Sequence, residues 1–103
     1  MNDFVVACAL ADLEENKPKQ CQVGGHNVTL VKAKEKVFAL DATCPHRGGP
    51  LAEGFVADDC LICPWHGWGF HLDSGRYVGS PGLGIRSHVT ELKDGSVRVR
   101  LIP

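Results

Sequence analysis

Between Ser96 and Leu101 apolar and polar residues alternate, with Val97, Val99 and Leu101 on one side and Ser96, Arg98 and Arg100 on the other. A period of two predicts a strand with one buried and one wetted face. Asp94-Gly95 provides a tight turn back to a second strand over Ser87–Leu92. Asn27–Ala33 and Val37–Asp41 carry apolar residues at both parities. That is the pattern of a central strand pair covered on both faces. Lys34-Glu35-Lys36 separates these two runs, and Gly24-Gly25 and Asp73-Ser74-Gly75 mark further turns. No stretch sustains a period of 3.6. The prediction is an all-β protein, a small antiparallel sandwich or barrel.

The texture of the chain changes in the middle. Residues 43–84 hold nine of the twelve glycines and both tryptophans, whereas 1–42 and 85–103 look like ordinary sheet. We expect one domain over 1–103, with a β base formed by 1–42 and 85–103 and a loop-rich subdomain of about 43–84 inserted in it. The length suits a single core. A net charge of −1 gives no electrostatic grip on nucleic acid or anionic lipid. Asp12, Glu14 and Glu15, and again Glu53, Asp58 and Asp59, form weak acidic groups that read as a solvated face. The apolar run Phe4–Ala11 follows Asp3 rather than a basic segment and is too short for a secretory signal or a membrane span. It reads as the first strand.

Five cysteines are an odd number for a disulfide framework. Cys8 and Cys21 lie in apolar stretches as buried thiols, which favours a reducing, cytoplasmic compartment. The other pattern is chemical. Cys44-Pro45-His46 and, after sixteen intervening residues, Cys63-Pro64-Trp65-His66 each supply one thiol and one imidazole. Four such ligands satisfy a tetrahedral Zn²⁺ site or a [2Fe–2S] cluster. Zinc sites usually pair like ligands, often with two histidines on a helix; here the pairs are mixed and no helix is predicted. Gly48, Gly49, Gly67 and Gly69 allow close backbone approach to electron-rich sulfide. Cys60 lies three residues before Cys63, but strand alternation places them on opposite faces, so it reads as a spare thiol. His26, His71 and His88 have no ligand partner at motif spacing, although His71 is close enough in sequence to lie near the centre.

The stretches Cys44-Pro-His-Arg-Gly-Gly-Pro-Leu and Cys63-Pro-Trp-His-Gly-Trp-Gly-Phe closely resemble the two cluster-binding loops of the Rieske ferredoxin family, a likeness that runs nearly the whole chain. The resemblance implies one Rieske-type [2Fe–2S] cluster held by Cys44, His46, Cys63 and His66, with the histidines on the outer iron near the surface. Arg47, Gly48, Gly49, Trp65, Gly67 and Trp68 would surround it. Gly79-Ser80-Pro81-Gly82 falls where the family has a third covering loop, with Pro81 as a donor-free wall. The high-potential branch of the family has a disulfide between these loops; this chain has Gly49 and Trp65 there, and Trp68 in place of a donating serine. It therefore looks like the soluble, oxygenase-associated branch, with a potential toward the lower end of the roughly −150 to +300 mV Rieske range.

With only three unassigned histidines and no spare domain, the chain is not expected to house a mononuclear iron site of the two-His, one-carboxylate type. We expect a carrier rather than an enzyme, taking single electrons from a flavoprotein reductase to a terminal oxygenase and docking transiently at the His46/His66 edge. The alternatives are the small subunit of an assimilatory nitrite reductase and, in a different class, a zinc-stabilised structural module.

Overall fold

The structure, a computed structural model, describes residues 3–45, 48–65, 67–80 and 82–103. Among the described residues, nine strands make two antiparallel sheets. The larger contains β1 (Val5–Ala9), β2 (Lys19–Val23), β3 (His26–Ala33), β4 (Lys36–Asp41), β8 (Ser87–Lys93) and β9 (Ser96–Arg100), in the order β1-β9-β8-β4-β3-β2. It curls so that its two end strands touch, close to a barrel. The smaller joins β5 (Phe55–Ala57), β6 (Cys60–Ile62) and β7 (Gly69–His71). Two short 3₁₀ turns, Leu10–Asp12 and Leu51–Glu53, are the helical segments among the described residues.

Four hairpins turn on two residues with both φ angles positive. Gly24-Gly25 joins β2 to β3, and Asp94-Gly95 joins β8 to β9. Lys34-Glu35 and Asp58-Asp59 adopt the same left-handed geometry without glycine, joining β3 to β4 and β5 to β6. The right-handed twist of paired strands favours this turn, and it overrides the modest penalty for a Cβ. Lys34 Nζ reaches Asp59 Oδ2 at 2.7 Å, so the tips of these two hairpins meet.

The doubly apolar strands explain how the halves are joined. Val28, Leu30, Val37 and Ala39 point into the base with Val97 and Val99. Val31, Ala33 and Leu40 point the other way and pack with Leu51, Leu61, Phe70 and Leu72 from the excursion between β4 and β8. Strands β3 and β4 are thus the shared wall of two cores. Burial on both faces removes the strand pair from water and fixes the orientation of everything built on the second face.

The chain leaves the large sheet at Asp41 and returns at Arg86, two residues that sit side by side. Asp41 donates its backbone N–H to the Arg86 carbonyl at 3.2 Å. Its carboxylate accepts the Arg86 N–H at 3.0 Å, Arg86 Nε at 3.1 Å and His88 Nε2 at 3.0 Å. The Ile102 N–H donates to Nδ1 of His88 at 3.1 Å, so the proton of the neutral ring resides on Nε2 and points at Asp41. Burial works to raise the Asp41 pKa, but the hydrogen bonds from Arg86 and His88 and the guanidinium charge bring it below the ordinary carboxylate value. His88, with no partner suggested by the sequence, is a satisfied core histidine.

Candidate metal centre

Two loops bring the cysteines together, and their backbones share one frame. In the first, the Cys44 N–H donates to the Gly49 carbonyl at 2.9 Å; in the second, the Cys63 N–H donates to the Trp68 carbonyl at 2.7 Å. Both loops therefore close five residues after the cysteine. Four residues after it, Gly48 and Gly67 take φ values of 75° and 72°, the left-handed turn that glycine enters without strain. The first loop springs from the end of β4 and is clamped by a Thr43–Pro50 bridge. The second connects β6 to β7, whose pairing Ile62↔Gly69 sets its width.

Cys44 and Cys63 are each 1% exposed and lie in the same buried cluster. The Trp65 N–H lies 3.4 Å from Cys63 Sγ, a donor already aimed at sulfur. Burial pushes the Cys63 thiol above its ordinary pKa, opposed by that N–H and reinforced by Cys44. A thiol here that held iron would give up its proton. Two buried thiols meeting from separate loops, with a backbone donor on one of them, fit the thiolate half of a [2Fe–2S] ligand set. His46, Arg47, His66 and Pro81 lie outside the described residues. Among the described residues no third Cys, His, Asp or Glu completes a site with the thiols.

The other residues named from sequence separate by what they touch. Gly49 is buried against the centre: a Cβ there would stand 2.8 Å from Cys63 Sγ and 3.1 Å from the Trp65 ring. Trp65 covers that glycine and remains 47% exposed. Trp68 turns away from solvent and stacks on Tyr77, with centroids 4.1 Å apart and planes at 11°. Both rings tilt against the fully buried Phe70. Tyr77 was missed in the sequence because its partner is nine residues away. Its position between β7 and the third loop was the available signal. The third loop is tied down here: Val78 N–H bonds the Gly69 carbonyl at 2.9 Å, and Tyr77 N–H bonds the Leu83 carbonyl at 3.1 Å. Gly69, expected to offer a close backbone approach to sulfide, is instead a strand residue that makes room for Ile62 and Val78.

Cys60 and His71 sit opposite each other at the other end of the β6–β7 hairpin from Cys63, with Sγ and Nδ1 3.6 Å apart. Burial first, then Asp58, Asp59 and Asp73, raise the Cys60 pKa. The spacing that makes Cys60 and Cys63 look like a ligand pair is thus an artefact of sequence proximity, and His71 is likewise directed away from the two loops. The acidic groups are locally engaged: Asp59 with Lys34, Glu15 with the Lys34 N–H, Glu14 with Lys17 and Asp12 with the Ala9 N–H.

The geometry defines a β scaffold that brings two buried thiols together between glycine-rich loops. Residues 3–98 match the Rieske [2Fe-2S] domain, and the chain belongs to that family. Its cofactor is one Rieske-type [2Fe–2S] cluster. It is 31% identical over 102 residues to the ferredoxin component of the alkene monooxygenase system of Xanthobacter autotrophicus, covering 98% of this chain and 84% of that protein. It spans only 13–24% of the length of several larger curated relatives. Among solved structures, a chain provisionally described as an NADH-dependent nitrite reductase small subunit from Mycobacterium tuberculosis superposes with a TM-score of 0.91 at 20% identity, covering 100% and 98% of the two chains. A chain of the complex of reduced oxygenase and oxidized ferredoxin in carbazole 1,9a-dioxygenase superposes with a TM-score of 0.84 at 25% identity, covering 97% and 94%. No helix among the described residues is long and apolar enough to cross a membrane.

Proposed function

We propose that Cys44, His46, Cys63 and His66 hold the cluster and that the chain carries single electrons from a flavoprotein reductase to a terminal oxygenase. The observation that carries this reading is the meeting of the buried Cys44 and Cys63 in one cluster, brought there by two loops that close with the same backbone bond. When bound, a [2Fe–2S] cluster supplies a one-electron couple. The chain's own residues do the rest. The loop glycines set the backbone frame, the Trp65 N–H stabilises negative charge on sulfur, and the Trp68–Tyr77–Phe70 stack holds the second and third loops against the core.

Function as a carrier is supported by the kinship with the alkene monooxygenase ferredoxin component over nearly all of this chain. Docking at the His46/His66 edge is supported by the half-exposed Trp65, adjacent in sequence to His66, and by the exposed Leu83 of the third loop. A small face with one or two aromatic or aliphatic anchors suits a transient redox encounter. Likeness to the nitrite reductase small subunit, at 20% identity, speaks for the shared fold. The sequence retains both Cys/His pairs, which favours the oxygenase-associated reading.

Redox titration and electron-spin spectroscopy of the purified holoprotein test the assignment. The midpoint should fall in the lower part of the range from about −150 to +300 mV, and His66→Cys should change the spectrum and lower the potential. A midpoint above about +200 mV would overturn the branch assignment. An unchanged spectrum in His66→Cys would remove that residue from the ligand set.

A further inference from the structure

Strands β1 and β2 stand at the two ends of the six-stranded order, yet the curl of the sheet brings them into contact. Among the described residues no backbone ladder joins them. Each edge carries one cysteine. Cys21, in the middle of β2, lies opposite Val28 and points with it into the base core.

Cys8 reaches the same core through a bulge. Pairing of β1 with β9 runs Val5↔Val99 and Val6↔Arg98, then skips Ala7, so that Cys8 lies opposite Val97. In an unbroken strand Cys8 would share the parity of Val6 and face outward with Arg98. Directly opposed residues share a face, and Val97 is fully buried. The extra residue therefore turns Cys8 inward. There it packs against the cluster that contains Cys21, so both thiols lie in the same core.

We propose that Cys8 and Cys21 form a reversible disulfide that staples the open seam of the base, with a low-molecular-weight disulfide such as oxidised glutathione as the oxidant. Cys8 is the partly exposed member of the pair and Cys21 the buried one. The Cys8 thiolate attacks the oxidant and one glutathione leaves as thiol. Cys21, packed in the same core, then attacks the Cys8 sulfur and expels the second. Two protein thiols lose two electrons and two protons, and one oxidised glutathione becomes two reduced ones. Burial, the Cys21 thiol and, more weakly, Asp12 push the Cys8 pKa up to about 11, with Lys19 opposing. The thiolate is the nucleophile, so closure is slow at neutral pH and quickens as pH rises.

The experiment treats the holoprotein with oxidised glutathione at mildly alkaline pH, alkylates the remaining thiols and digests with trypsin. Cleavage after Lys19 and Lys32 separates the two cysteines. The expected product is a disulfide-linked pair of peptides 1–19 and 20–32, with a Tm raised by about 5–10 °C that dithiothreitol reverses. The visible spectrum of the holoprotein should not change. Cys8→Ser and Cys21→Ser should each abolish both the linked peptides and the rise in Tm. Recovery of Cys8 and Cys21 as alkylated thiols, or of glutathione left on Cys8 without the linked pair, overturns the proposal. A linked pair with no change in Tm overturns the stapling role.

Discussion

The two cysteine loops close in the same way and differ in the side chains they bring. Each closes with the same N–H to carbonyl bond and the same left-handed glycine. Yet five residues after its cysteine the first loop has Gly49, and the second has Trp68. The second loop supplies bulk, with Trp68 on Tyr77 and Trp65 over Gly49, and the first yields space. Convergence of the thiols thus depends on a shared frame, while the packing that holds them depends on asymmetry. The difference distinguishes glycines required by a dihedral angle from one required by a neighbour.

The strongest way to break this comparison is Gly49→Ala. The new methyl would press on Cys63 Sγ at a distance a Cβ does not tolerate and crowd the Trp65 ring. We expect a loss of about 1–3 kcal/mol in stability and a lower cluster content, read by denaturant unfolding and by iron per chain. Adding Trp65→Ala should restore part of the stability but not the cluster content, because the sulfur contact remains.

The neck beneath the first loop comes next. Asp41→Asn removes the charge that receives Arg86 and His88, at a cost of about 1–2 kcal/mol near neutral pH. Because the folded-state pKa of Asp41 is depressed, its contribution is complete above the unfolded carboxylate value near 4 and fades as pH falls through the lower, folded value. The stability gap between wild type and Asp41→Asn should therefore close on acidification below about pH 4. A gap that widens there would contradict the assignment.

The smallest effects should sharpen the symmetry. Gly48 meets only a threonine methyl at 3.9 Å and Gly67 has open space, so alanine at either place carries little beyond the left-handed penalty of about 1 kcal/mol. The two substitutions should cost the same within experimental error in chemical denaturation. Unequal costs would show that the loop frames are not equivalent.

Much of the base could be read from the chain because strand alternation is a local signal. The last hairpin and the doubly buried β3–β4 pair are examples, with boundaries that shift by only a residue or so. The small sheet was less visible. Its strands are three residues each, too short to show a period, and the Asp58-Asp59 turn lacks the glycine that usually announces it. The pair of cysteines that the two loops bring together was legible because thiol chemistry is tied to residue type. Their support was not: Asp41 and Arg86 are 45 positions apart, and the bulge at Ala7 reverses a parity that a plain strand reading assigns.

The adjacency of Asp41 and Arg86 has a consequence for how such proteins can diversify. A segment that departs from and rejoins a sheet at touching points can lengthen, shorten or be exchanged without shifting the register of any barrel strand. Change in the electron-carrying half is thus uncoupled from the integrity of its foundation, and partner preference can drift while the platform stays constant.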